Sequence, residues 1–246
     1  MDPYSLSVIL IAISAGALVK GATGMGMPLI AMPFMASVLG MQHAIVVLVL
    51  PIIVSNIWQV WRYRGERSDE RLAFLVPMLI ACTIGVAMGT WLLTTLPERG
   101  LALTLGLLLL GYMVFRLLRP SFSIDPATAN RFAVPAGLGA GVLHGATGIS
   151  APIGVTFIHA MRFSRDVHVF AISAMFLVLA AMQASSLWVA GVLRPAWMVE
   201  SVLALIPTFV VMPVGQWLGS KLSPAAFDRL ILAFLGVIGL KLVFGL

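Results

Sequence analysis

Five stretches of this chain, residues 21–61, 72–97, 132–161, 167–193 and 201–220, contain no Asp, Glu, Lys or Arg. Each is longer than the roughly 18–20 apolar residues that cross the core of a bilayer. Charged residues make up 10% of the chain, where about 25% is usual in soluble domains. With a mean hydropathy of +1.07, that excludes an ordinary soluble domain. The formal charge of +6 does not point to nucleic acid. Twelve of the fifteen basic residues are arginines at the ends of apolar runs, the pattern that sets membrane orientation. The single cysteine, Cys82, excludes an intramolecular disulfide and reads as a packing residue. Asp2 and the lack of an early basic segment predict that the first apolar stretch is retained rather than cleaved.

One octapeptide occurs twice. Gly21-Ala22-Thr23-Gly24-Met25-Gly26-Met27-Pro28 returns as Gly145-Ala146-Thr147-Gly148-Ile149-Ser150-Ala151-Pro152, an offset of 124 residues. Each copy interrupts an apolar stretch and follows a residue able to carry positive charge, Lys20 or His144. Glycine permits backbone conformations closed to other residues, and proline suits the first turn of a new helix. Each copy therefore reads as a helix break with a fresh N-terminus behind it. Paired breaks at equivalent places in two halves point to the binding site of a membrane transporter.

The elements follow in order. A short apolar helix at 5–19 and a second at 28–40 flank the first break, and spans are expected at 44–61, 73–93 and 100–116. After the polar stretch 117–131, the pattern repeats as 132–144, 152–161, 168–190, 197–218 and 227–244. The third span of each half carries Gly-x-Trp, at Gly89 to Trp91 and Gly215 to Trp217. Trp58, Trp61, Arg62, Tyr63 and Arg64 form an aromatic and basic edge of the kind found at a membrane interface. The chain thus reads as an all-α membrane protein of two four-element repeats, residues 1–119 and 132–246, joined by a linker at 120–131. Each repeat has a broken or re-entrant helix pair followed by three transmembrane helices. If both pairs are re-entrant, the halves are inverted. Eleven basic residues then fall inside (Arg62, Arg64, Arg67, Arg71, Arg116, Arg119, Arg131, Arg162, Arg165, Lys221, Arg229) and three outside (Arg99, Arg194, Lys241). If each pair crosses once, the split is nine to five, so the inverted arrangement is favoured.

Lys20 is the basic residue set deep in an apolar stretch, and an intramembrane charge is a functional candidate by default. His144 is its counterpart. Unpaired N–H groups after each break favour an anion, and Thr23, Thr147 and Ser150 add hydroxyl donors; the two threonines serve equally well as backbone caps. The predicted binding set is Lys20, Gly21, Thr23, Gly24, Gly26 and Pro28 in one half, with His144, Gly145, Thr147, Gly148, Ser150 and Pro152 in the other. The amides of Asn56, Gln59, Gln183 and Gln216 either line the cavity or hold helices together. An inverted fold would bring Lys20 and His144 towards one midplane cavity, with His144 taking up a coupling proton as the anion binds. Met25 and Met27 read as packing, Glu200 as an interfacial charge, and histidines 43, 144, 159 and 168 lack metal-ligand spacing. No nucleophilic triad, P-loop or metalloprotease motif occurs, so neither an enzyme nor a cofactor is expected.

The duplicated G-x-x-G-x-x-x-P breaks, the half-length of about 120 residues and the N-x-x-Q spacing of Asn56 and Gln59 resemble the TauE/SafE family of sulfite and organosulfonate transporters. The resemblance covers essentially the whole chain. It implies a multi-pass inner-membrane carrier for a small sulfur-containing anion such as sulfite, sulfoacetate or a related sulfonate. Two other readings stand beside it: a membrane scaffold or assembly factor in which the breaks only bend helices, and a channel or uniporter for another small anion.

Overall fold

The computed structural model describes residues 2–119, 121–219, 221 and 224–245; Pro120, in the expected linker, lies outside them. Among the described residues the regular structure is entirely helical: α1 (Pro3–Thr23), α2 (Met27–Leu39), α3 (Met41–Arg62), α4 (Leu75–Thr95), α5 (Glu98–Leu118), α6 (Pro126–Thr147), α7 (Thr156–Ala160), α8 (Arg165–Val189), α9 (Pro195–Leu203), α10 (Leu205–Gly219) and α11 (Pro224–Phe244). Two 3-10 turns, Arg64–Ser68 and Glu70–Leu72, form the charged loop after α3, and a π-helical turn, Ala151–Val155, precedes α7.

Two helix starts are dictated locally. Asp2 accepts the Tyr4 and Ser5 N–H groups with Pro3 behind it, and Asp125 accepts the Thr128 N–H at 3.0 Å before Pro126. A carboxylate cap followed by proline is a strong helix start. The second of these shortens the polar connection expected at 120–131, whose latter half is the first turn of α6. Within it, Ile124 N–H reaches the Ala160 carbonyl at 3.0 Å and the Arg162 guanidinium reaches the Ser121 carbonyl. Arg64 lies over the Trp61 ring, 5.0 Å from its centroid, at the aromatic edge read from the sequence.

Six helical stretches among the described residues are long and apolar enough to cross a membrane: Pro3–Thr23, Met41–Arg62, Glu70–Thr95, Glu98–Leu118, Arg165–Val189 and Pro195–Gly219. Five of these lie at expected spans, and the other is α1, which the sequence reading assigns to a broken pair. α1 runs on through Lys20, Gly21 and Ala22 to Thr23, so it is 21 residues long and reaches ~30 Å, the thickness of the core. The 13-residue α2 and the ten residues Ala151–Ala160 do not.

The chain forms two compact units, each assembled from both halves of the sequence. The first comprises residues 1–51, 96–118 and 191–246, the second 52–95 and 119–190. In the first, α1 runs parallel to α10, and close approach is forced where side chains are missing. A Cβ on Gly21 would lie 2.9 Å from the Gln216 nitrogen, and one on Gly215 would lie 3.0 Å from the Leu18 Cα. α2 folds back along α1, with Gly16 beside Met27 and Ala31. α2 is buried from Met27 to Pro33, as expected of a helix apolar all round. In the second unit α4 and α6 run parallel in the same manner. A Cβ on Gly141 would lie 2.9 Å from the Gly85 Cα, and one on Gly145 would lie 2.8 Å from the Gly89 Cα. This is the small-residue packing common between membrane helices. The returning segment again folds back, Ile153 and Gly154 lying against Gly139 and Ala140. The Gly-x-Trp motifs are two-faced. Gly89 and Gly215 are buried at these contacts, while Trp91 and Trp217 are 64% and 61% exposed.

Candidate functional site

The two octapeptides occupy different units, and each breaks its helix by the same local device. At the end of α1 the Gly24 N–H caps the Lys20 carbonyl at 2.7 Å, with Gly24 at φ 81°. At the end of α6 the Gly148 N–H caps the His144 carbonyl at 2.7 Å, with Gly148 at φ 71°. A left-handed glycine is the usual stop for an α-helix. The first glycine of each octapeptide does something else: Gly21 and Gly145 are helical and buried, and they admit the backbone of a neighbouring helix.

The threonines tie each break together. Thr23 Oγ1 is 2.9 Å from the Val19 carbonyl and 2.7 Å from that of Met25, whose N–H donates back to it. Thr147 repeats the pattern with Leu143 and Ile149. Both hydroxyls therefore serve as caps. The two exits differ. α2 begins at Met27 behind Gly26, at φ 95°, and no side chain caps its first N–H groups. After Ser150 the chain winds as a wide π turn, with the Thr156 hydroxyl on the Ala151 carbonyl at 3.1 Å, before α7 begins. The continuous α-helix expected at 152–161 is thus split into a π turn and a single α turn: Pro152 brings no N–H to its first turn, and Thr156 closes on a carbonyl five residues back.

Burial singles out the polar groups. Lys20 is 3% exposed, and His144, Thr147 and Ser150 are fully buried. Among the described residues, neither ring nitrogen of His144 nor the Ser150 hydroxyl finds a hydrogen-bond partner, and the same holds for the Thr90 hydroxyl on α4. Such groups are costly unless something satisfies them. Phe176 of α8 stands edge-on to the His144 ring, with centroids 6.3 Å apart.

The amides divide. Gln183 Nε2 donates to the His144 and Gly145 carbonyls, both at 3.2 Å, so α8 is pinned to the last turn of α6. Gln59 Oε1 accepts the Ser173 hydroxyl at 3.0 Å, and Asn56 Nδ2 bonds back to the Ile52 carbonyl at 2.7 Å. Gln216 is exposed on α10, and it is its backbone that meets Gly21. The structure thus gathers His144, Gly145 and Gln183 in the second unit, and Lys20, Gly21, Thr23, Gly24, Gly26 and Pro28 in the first.

Two features escape the sequence reading. Thr90 occupies the middle of the Gly-x-Trp motif, the place held by Gln216 in the other half, and that correspondence was the available signal. Glu200 is 3% exposed and meets His43 in an ion pair. The charge read as interfacial is thus shielded by protein and paired with a side chain of α3. An acidic residue inside an apolar stretch was the signal there.

The family model for the sulfite exporter TauE/SafE matches residues 8–242, nearly the whole chain. No curated protein and no solved structure matches the chain.

Proposed function

The chain belongs to the sulfite exporter TauE/SafE family, a family of membrane transporters rather than enzymes, and from that premise we propose how it carries its substrate. The protein is a multi-pass membrane protein of a family that moves sulfur anions. In our reading it carries sulfite, sulfoacetate or a related organosulfonate across the inner membrane of the cell, and it recognises the anion at the glycine-bounded breaks. The observation that carries this reading is the set of buried donors without partners at the second break, His144 and Ser150. Buried Lys20 at the first break adds a cationic group. Among the described residues the one buried carboxylate, Glu200, is already engaged by His43, so the polar complement favours an anion over a cation. A scaffold would have no use for unsatisfied donors of this kind.

We further infer that the halves are inverted repeats with re-entrant first pairs. Two things support it: the fold-back of α2 along α1 and of residues 153–154 along α6, and the equivalent packing of Gly21 on α10 and Gly145 on α4.

The test is thermal stabilisation of the purified protein by sulfite, sulfoacetate, sulfate, phosphate and chloride, followed by uptake into proteoliposomes. Stabilisation by the sulfur oxyanions first, with saturable uptake of the same anions, is the expected result. A chain that no anion stabilises and that moves none is a scaffold.

A further inference from the structure

A buried acid–base pair lies in the first unit, away from either break in the sequence. The imidazole Nε2 of His43, in the first turn of α3, contacts the Glu200 carboxylate of α9. The Glu200 side chain is 4% exposed and that of His43 is 12%. The His43 ring stacks on Trp197 with centroids 4.6 Å apart and planes 13° from parallel, and the Arg194 guanidinium lies 4.5 Å from the centre of the same indole. The next residue of α9 ties the same helices: Ser201 Oγ donates to the Val47 carbonyl at 2.8 Å and accepts the Leu50 N–H at 3.3 Å. The other charged groups here are spoken for. Glu98 of α5 accepts the Met41 N–H at 3.0 Å, and Arg99 donates to the Val243 carbonyl of α11 at 3.0 Å.

We propose that His43 and Glu200 form the binding site for a coupling proton, which moves with the substrate anion. This rests on the transporter reading above. The pair holds two bases in contact and is electrically neutral when it carries one proton. A carboxylate this deeply buried is tolerated when a cation faces it, so loss of that proton leaves an uncompensated charge between α3 and α9. Gain of a second proton, on the carboxylate, leaves an unpaired imidazolium. Either change costs free energy unless the helices rearrange, which is how a proton is linked to a conformational step. Among the described residues neither ring nitrogen of His144 has a hydrogen-bond partner, so it suits ligand contact rather than proton storage.

The experiment uses the full chain in proteoliposomes with radiolabelled sulfoacetate, against protein-free vesicles. One arm measures exchange of labelled for unlabelled anion at equal pH, in which the proton returns with the carrier and no net transfer is needed. The other measures accumulation driven by an imposed pH gradient. The expected result is that Glu200→Gln keeps exchange close to wild type but loses gradient-driven accumulation by about tenfold, within the usual range of coupling between sites. His144→Gln lowers both arms together. His43→Gln repeats the Glu200→Gln pattern and replaces it if that variant does not fold; the wild-type gradient arm needs no variant at all. Gradient-driven accumulation that survives in Glu200→Gln or His43→Gln, or exchange in wild type with no response to the gradient, overturns the proton site and leaves the transporter reading intact. No exchange in wild type overturns both.

Discussion

Ser150 and Thr147 stand three residues apart in the second break and make opposite predictions. Among the described residues the Ser150 hydroxyl finds no hydrogen-bond partner, whereas the Thr147 hydroxyl is spent on the Leu143 carbonyl and the Ile149 N–H. Ser150→Ala therefore removes no internal bond. It should leave the melting temperature unchanged or raised while weakening anion binding by about 10- to 150-fold, the worth of a hydrogen bond to a charged group. Thr147→Val should lower stability by about 1 kcal/mol through loss of the cap. Titration calorimetry and thermal melts on the two proteins separate the roles, and unchanged affinity in Ser150→Ala removes that hydroxyl from the site. Thr23→Val and Thr147→Val extend the comparison: affinity equal to wild type in the pair would make both threonines caps alone. Lys20→Ala should abolish binding, since the family's substrate is anionic and Lys20 is the buried ammonium.

At the scale of the helix, the glycines of α4 and α6 set how closely the two can pack. Gly145→Ala forces a methyl into the Gly89 and Thr90 backbone, which has no flexible end to move aside. It should destabilise by ~1–3 kcal/mol or more, read as a lower melting temperature in detergent. Gly111 of α5 is the control. A Cβ there meets nothing, so Gly111→Ala should stabilise by about 0.4–1 kcal/mol through helix propensity and a less free unfolded chain. Equal losses from both substitutions would refute close packing as the purpose of Gly145. The start of α6 is a separate case. The Thr128 hydroxyl and the backbone N–H groups beside it hold the Asp125 carboxyl below the ordinary carboxylate range. That stabilisation is present above the unfolded value and lost as pH falls through the folded one. Asp125→Ala should therefore lower the melting temperature near pH 7 and make progressively less difference on acidification; a pH-independent effect would mean that the charge does not contribute.

For the whole molecule the decisive quantity is topology. The eleven-to-three distribution of basic residues favours re-entrant pairs, inverted halves and both termini outside. Cysteine labelling at residue 163 and at the C-terminus checks this in intact cells. The expected outcome is a cytoplasmic residue 163 and an external C-terminus; the reverse at both sites would sink the inverted arrangement.

What the chain alone determined is local. Apolar runs bounded by arginine dictate spans because burial in lipid depends on composition over about 20 residues. The positive φ angles at Gly24, Gly26 and Gly148 follow from the absence of a side chain, so the breaks were legible to within a few residues. Their internal division of labour was not: a glycine that stops a helix and a glycine that admits a neighbour look alike in one dimension. Tertiary structure alone decided that Gly21 packs on α10 and Gly145 on α4, each broken helix lying against a span from the other half. It also decided that His43 and Glu200, 157 residues apart, meet as a pair. Such pairings depend on which helix faces bury together, a property of the assembled units that no window of the sequence contains.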